Sequence, residues 1–254
     1  MKHFFKCCAL IFLLFCVPLV GSAEDTEPVP PLPSPDFPPP MNPQDSGVME
    51  KKPVVEDLGK GMYRIGKILL DKHQGRFTVP GVVLPYEDGK PLEYIAVTKQ
   101  GFKAYESLLE LDANAFEFNL ACILIGLDEK HGKPAKFHFD PDPMTGDQVS
   151  IRIRWQKDGK QLEVDPMEWL KLDEQHKAPA AWNYSGSQFI EGNRYLAQVD
   201  GTLIGLVHDP STIIEHHTGV GLGNWGLLTV DSKQMPVGGT QVYLIVQRMS
   251  RATD

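Results

Sequence analysis

Cysteine is nearly missing from most of this chain. Of four cysteines, Cys7, Cys8 and Cys16 sit in the opening apolar stretch, and Cys122 stands alone in the rest. With that stretch removed, one thiol can form no internal disulfide and no cysteine-based zinc or iron–sulfur site. Positive charge is also short. Lys plus Arg number 25 against 33 Asp plus Glu, a formal net charge of −8. Nucleic-acid binders need a basic face to neutralise phosphate, and attachment to anionic lipid needs the same sign. Both classes are therefore disfavoured. No apolar run is long enough to cross a bilayer. The opening one has about 14 residues and a later one about 12, against the roughly 20 that a span needs.

The chain opens as a secretion signal. Lys2 and Lys6 precede the apolar residues 7–20, and Gly21-Ser22-Ala23 supplies small residues for cleavage after Ala23. Lipidation at Cys16 would need small residues before it, where Leu14 and Phe15 stand. The expectation is an exported protein, periplasmic or secreted, with residues 1–23 as signal peptide. Residues 24–57 follow as a proline-rich linker with polyproline II character and few core-forming side chains. One folded domain is expected over 58–250.

Residues 105–127, YESLLELDANAFEFNLACILIGL, organise that domain. Asn114 and Glu117 have the spacing of a capping box, and Gly126 suits a left-handed helix end. Between Phe116 and Ile125 only Glu117 and Asn119 are polar, which predicts a helix covered on several sides. Hairpins are expected at His73-Gln74-Gly75, Asp158-Gly159 and Asp200-Gly201, with Pro80-Gly81 breaking or bulging a strand. The apolar run at 92–99 predicts a central strand, and residues 182–190 another. Val149, Ile151, Ile153 and Trp155 alternate with polar residues, as in a half-buried strand. Asp165-Pro166 opens a short helix. The fold class expected is α+β, an antiparallel β-sheet built from hairpins wrapping one long buried helix.

Candidate chemistry is thin. Gly221 to Gly226 matches GxGxxG, but lacks the preceding strand and following helix of a dinucleotide site. Asp140, Asp142 and Asp147 form a poor calcium loop, interrupted by Pro141, Pro143 and Met144. His208, His216 and His217, beside Asp209 and Glu215, are the one histidine cluster that suggests a metal, with no recognised zinc spacing. Ser185-Gly186-Ser187 is not a nucleophile elbow. A hydrolase built on Glu106, Ser187 and His208 stays open as an alternative, with Ser107 and Asp200 as further members of such a site. Glu106 sits in a buried stretch, where an ionised carboxylate needs a partner, Arg152 or Arg154 among them, unless it faces water. Cys122 reads as a small core hydrophobe.

Taken in order, several motifs resemble the YdjY-domain family of exported bacterial proteins. They are Thr78-Val79-Pro80-Gly81, Tyr105-Glu106-Ser107-Leu108-Leu109, Leu124-Ile125-Gly126-Leu127, and Gly146-Asp147 before IRIRW. Trp182 with Ser185-Gly186-Ser187, then Tyr195 through Asp200-Gly201 to His208-Asp209-Pro210, and Pro236 with Gly239-Thr240 complete them. The likeness spans roughly 60–248. It implies no defined activity or catalytic set. Some relatives carry a ferredoxin-like label because of extra cysteines, and this chain does not have them.

The expectation is a non-catalytic domain with no cofactor, binding an unknown envelope protein or a small ligand. Its surface is placed at Glu106, Ser107, Trp182, Ser185, Ser187, Asp200, His208 and Asp209, where polar residues interrupt apolar strands.

Overall fold

A computed structural model describes residues 52–250 except 88, 173–180 and 221–227. All lie within the unit Ser46–Asp254. The strands in order are β1 (Val55–Gly59), β2 (Met62–Ile65), β3 (Ile68–Asp71), β4 (Arg76–Val83), β5 (Tyr94–Thr98), β6 (Ser107–Leu111), β7 (Asp147–Lys157) and β8 (Lys160–Val164). They continue as β9 (Leu170–Lys171), β10 (Trp182–Tyr184), β11 (Phe189–Ile190), β12 (Arg194–Tyr195), β13 (Thr202–Gly205), β14 (Ile214–His216), β15 (Thr229–Val230) and β16 (Gln241–Arg248). The α-helices are α1 (Ala115–Leu124) and α2 (Leu196–Asp200).

Eight strands close on themselves in the order β4-β16-β7-β10-β14-β13-β5-β6, and β6 pairs back onto β4. β1, β2 and β3 continue outward from β4, and β8 pairs with β7. Closure leaves these eight strands without a free edge. The alternating residues of β4, β7 and β16 place Phe77, Val79, Ile151, Ile153, Leu244 and Val246 in one core. On the outer face Glu163 takes both Arg154, at 2.7 Å, and Arg152, at 3.6 Å. Neither arginine reaches Glu106.

This corrects the α+β expectation of an antiparallel sheet around a long helix. The molecule is a mostly β, mixed barrel. β5–β6 and β13–β14 are parallel. Their connections, 99–106 and 206–213, are short and contain no α-helix. Parallel pairing normally announces itself through a helical crossover, so nothing in the local pattern revealed these two.

Helix α1 forms as its caps predict. Asn114 accepts from the Glu117 amide, Glu117 accepts from the Asn114 amide, and Gly126 has φ 95°. It closes one barrel end. Phe118 meets Phe77 edge-on at 5.3 Å between ring centroids, and Tyr184 donates to Asn119 at 2.7 Å. The helix is not wrapped: Ile123 is exposed and Phe116, Leu120 and Leu124 are only partly buried.

Three local expectations also change. Pro80 neither breaks nor bulges β4. It sits where β4 changes neighbours, after Thr78 pairs with β3 and before Gly81 pairs with β6, so its missing N–H disrupts no ladder on that side. Asp200-Gly201 ends α2, with Gly201 as a left-handed cap, instead of turning a hairpin. The strand expected over 182–190 stops at Tyr184, because Gly186 and Ser187 take φ 78° and 59°. The GxGxxG match falls on 221–226, outside the described residues.

Candidate functional site

β6 runs toward α1, so its first residue lies at the opposite end of the barrel. There Tyr94 of β5 is in register with Ser107 of β6 and with Gly205 of β13. Backbone bonds tie the neighbouring loops together. The Glu93 amide donates to the Glu106 carbonyl at 3.0 Å, and the Glu93 carbonyl accepts from Leu206 at 2.8 Å. Four chain segments thus deliver charged side chains to one place.

The pairs are specific. Lys103, in the 3-10 turn Phe102–Glu106, donates from Nζ to Glu106 Oε1 at 2.8 Å. His138 Nε2 lies 2.9 Å from Glu93 Oε2. Tyr94 donates its hydroxyl to Asp209 Oδ2. The Lys103 ammonium stands 5.7 Å from the Tyr94 ring centroid and 6.0 Å from that of Tyr105. The side chains of Glu106 and Glu93 are 3% and 4% exposed, and those of Lys103 and His138 are 20% and 38%. Each acid is therefore sealed behind a basic side chain that still meets solvent. Phe102, Tyr105 and Phe137, each more than half exposed, supply flat apolar surface beside these pairs.

The charges influence one another. Burial pushes the Glu106 carboxyl above its usual range, Lys103 pulls it back, and Glu93 adds to the rise. The hydrogen bond to Glu93 raises His138, against an opposing effect of burial. Burial works against the Lys103 ammonium, yet Glu106 outweighs it and the net shift is upward. Tyr94 is held protonated, first by burial and then by the adjacent Asp209 carboxylate.

Several residues expected from sequence do meet, but along the 208–213 strap and mostly inside it. Ser187 donates to the Pro210 carbonyl at 3.0 Å. Ser185 approaches the Thr212 and Ile213 carbonyls at 3.3 and 3.4 Å. Asp209 Oδ1 accepts from both the amide and the hydroxyl of Ser211. Asp200, half-buried, is raised by its own burial and by Asp209 nearby, and Ser211 lowers it. Ser107 donates to the Lys103 carbonyl at 2.7 Å. Trp182 is buried against the His216 ring at 5.4 Å. Of the expected set, Glu106 and Asp209 join the charged cluster, and the others brace it or lie apart.

Glu106, Ser187 and His208 do not assemble into a nucleophilic site. Each bonds elsewhere, Glu106 to Lys103, Ser187 to Pro210, and His208 to two backbone carbonyls. The three histidines of 208–217 also diverge. His217 Nδ1 lies 2.8 Å from the Met144 carbonyl, and the His216 ring packs on Trp182. Asp140 receives the amides of Lys136 and Asp142, as a turn does. Among the described residues no group of three or more His, Cys, Asp or Glu is placed to hold a metal ion. A separate groove of about 430 Å³ beside α1 is lined in part by Lys67, Lys99 and Gln198. Two of its helix amides are already taken, Ala115 by Gln198 and Glu117 by Asn114.

Sequence reasoning missed Glu93, Tyr94, Lys103 and His138. Glu93 interrupts the apolar run at 92–97 just as Glu106 interrupts its own, so the same signal was available. Lys103 stands three residues before Glu106, a spacing that brings side chains together in a turn. His138 has no local signal, because its partner is 45 positions away.

The profile of the YdjY domain matches residues 68–247, most of the chain. The chain belongs to the YdjY domain family. The order of motifs from Thr78 to Thr240 is thus accounted for. All the charged-cluster residues lie within the matched part of the YdjY domain, while β1 and β2 precede it. No curated protein and no solved structure matches the chain.

Proposed function

We propose that this YdjY domain is an exported, non-catalytic binding module of the cell envelope, and that its ligand is a saccharide-bearing envelope molecule. The binding surface is the barrel end holding Lys103–Glu106 and His138–Glu93. One observation carries this reading: two nearly enclosed acids, each behind a partly open basic side chain, beside the exposed rings of Phe102, Tyr105 and Phe137. Sugars present hydroxyl groups to charged donors and acceptors and C–H faces to aromatic rings, and this surface offers both. Binding sites of this kind combine apolar walls with a few placed polar groups. The secretion-like residues 1–23 support an envelope location. Internal pairing of Glu106, Ser187 and His208 with other groups favours binding over hydrolysis.

The test is calorimetric titration with soluble oligosaccharides cut from the cell-wall glycan, alongside mass spectrometry of ligands retained by natively purified protein. Tyr105→Ala and Lys103→Met should each weaken binding at least tenfold. Equal binding by both variants and the parent, or capture of a protein partner with no saccharide affinity, sinks the reading. Cell fractionation that found the protein retained in the cytoplasm would remove the envelope assignment.

A further inference from the structure

β5 and β6 run parallel, with Tyr94 opposite Ser107 and Thr98 opposite Leu111. Their first residues meet at the charged cluster. Their last residues therefore meet at the other end, where β6 leads into α1. The groove of about 430 Å³ opens there, between the β2–β3 turn, the end of β5 and the entry of α1. Its size lies within the roughly 300–1,000 Å³ of small-molecule pockets. Gly66, in the turn, has φ 55°, and a Cβ on it would stand 2.5 Å from Glu117 Oε1. The turn is thus seated closely on α1 as one wall of the groove.

Thr98 is the residue that points to a ligand. It lines the groove and is only 8% exposed, yet its hydroxyl has no hydrogen-bond partner among the described residues. Its backbone is engaged on both sides, the amide to the Gly201 carbonyl and the carbonyl to the Gly101 amide. A polar group enclosed to this degree normally finds a partner. The groove is what remains to supply one.

The groups around Thr98 are mostly donors. Asn114 Oδ1 accepts from the Glu117 amide at 2.9 Å, and Gln198 Oε1 accepts from the Ala115 amide at 3.0 Å. With both oxygens committed, the free end of each side chain is an NH2, which only donates. Of the backbone amides 114–117 at the helix entry, Asn114 donates to Glu117, and Phe116 alone is left. A helix entry also carries partial positive charge. Lys67 and Lys99 are exposed and form no ion pair among the described residues. These groups together call for a negatively charged acceptor. Asp112, exposed and also unpaired, and Glu117 bring the opposite sign to the same groove. A phosphate dianion would meet both acids. A carboxylate with an ammonium close by meets each sign with its opposite.

We propose that this groove is a second binding site, for the zwitterionic form of an amino acid or short peptide: the carboxylate lies against Thr98, Asn114, Gln198 and the entry of α1, with Lys67 and Lys99 beside it, and the ammonium lies toward Asp112 and Glu117. The site is separate from the surface assigned above to saccharide, and it does not rest on that reading.

The test is titration of the nitrogen-15-labelled protein with the dipeptide alanylalanine, followed by amide shifts, with calorimetry for affinity. Saturable shifts should appear at Thr98, Phe116 and Gln198, and the amides of Lys103 and His138 should stay in place. N-acetylalanine, which lacks the ammonium, should bind about fivefold more weakly, and alaninamide, which lacks the carboxylate, more weakly still. Thr98→Val and Lys99→Met should each weaken the dipeptide by about fivefold or more. If Thr98→Val does not fold, Lys99→Met, at an exposed position, decides. No saturable shift up to the solubility limit would overturn the proposal. So would inorganic phosphate binding as tightly as the dipeptide, shifts confined to the Lys103–Glu106 end, or a folded Lys99→Met protein that binds like the parent.

Discussion

The hydroxyl of Tyr94 donates to the carboxylate of Asp209, a residue 115 positions further along the chain. This bond pins the strap after β13 to the start of β5, beside the Lys103–Glu106 pair. Asp209 has further donors in the Ser211 amide and hydroxyl, so its buried charge is met from two sides. Tyr94→Phe should destabilise the domain by about 1–3 kcal/mol, the cost of leaving a buried acceptor without its partner. Chemical denaturation measures this, and an unchanged midpoint would show that the bond contributes nothing net.

Removing one member of the Lys103–Glu106 pair should cost more than removing both. Lys103→Met leaves the Glu106 carboxyl enclosed without its cation, so its proton affinity rises further. The loss should grow as pH rises above the usual glutamate range, where the unfolded chain ionises and the folded site resists. Adding Glu106→Gln should restore part of the stability. A double-mutant cycle checks this, and strict additivity of the two losses would deny the coupling.

Glu215 gives the domain a pH dependence of definite sign. Its carboxyl is raised from 4.5 to about 8, chiefly by burial. The folded state therefore keeps a proton that the unfolded chain releases above 4.5. Stability from this group is fully present below that value and is lost as pH rises toward 8, by up to about 1.4 kcal/mol per pH unit, and the loss levels off above. The geometry agrees. Glu215 and Asn183 are opposite each other on β14 and β10, and each has one buried oxygen without a partner, Oε2 and Oδ1. A proton on Glu215 supplies the missing donor. Glu215→Gln should flatten the profile of melting temperature against pH over that interval, and an unaltered slope would assign the effect to another group.

Position along α1 should decide the cost of truncation. Phe118 is fully buried against Phe77, and Phe118→Ala should cost about 3–5 kcal/mol. Leu124, on the partly open side, should cost clearly less when changed to alanine. Equal losses at the two positions would mean that the helix is enclosed all round.

Cys122 is buried, and its thiol pKa is pushed well upward by that burial. A maleimide reagent should label it in denaturant and leave it unlabelled in the folded protein. Cys122→Ser should destabilise, yet leave ligand affinity per folded molecule unchanged. A folded variant that had lost binding would make the thiol part of the site.

The sequence alone determined those features whose causes lie within a few residues. The ends of α1 follow from Asn114, Glu117 and Gly126. The β7–β8 turn follows from Asp158 and Gly159, which take φ 50° and 73°. The alternation from Val149 to Trp155 defines the faces of β7. Ordered motifs likewise carried the family. Glu106 and Asp209 stood out in the sequence because an acid within or beside an apolar run demands a partner. Tertiary structure alone decided who that partner is. Lys103, not an arginine of β7, reaches Glu106, and Glu93 finds His138. It also decided that the sheet closes, through the pairing of β6 with β4 and two parallel contacts made by short connections. Hydrophobic alternation tells which face of a strand is buried, but it does not name the neighbouring strand. For His208 the limit is the same: its residue type does not name its partners, and the fold brings the Asp140 and His216 carbonyls to its ring.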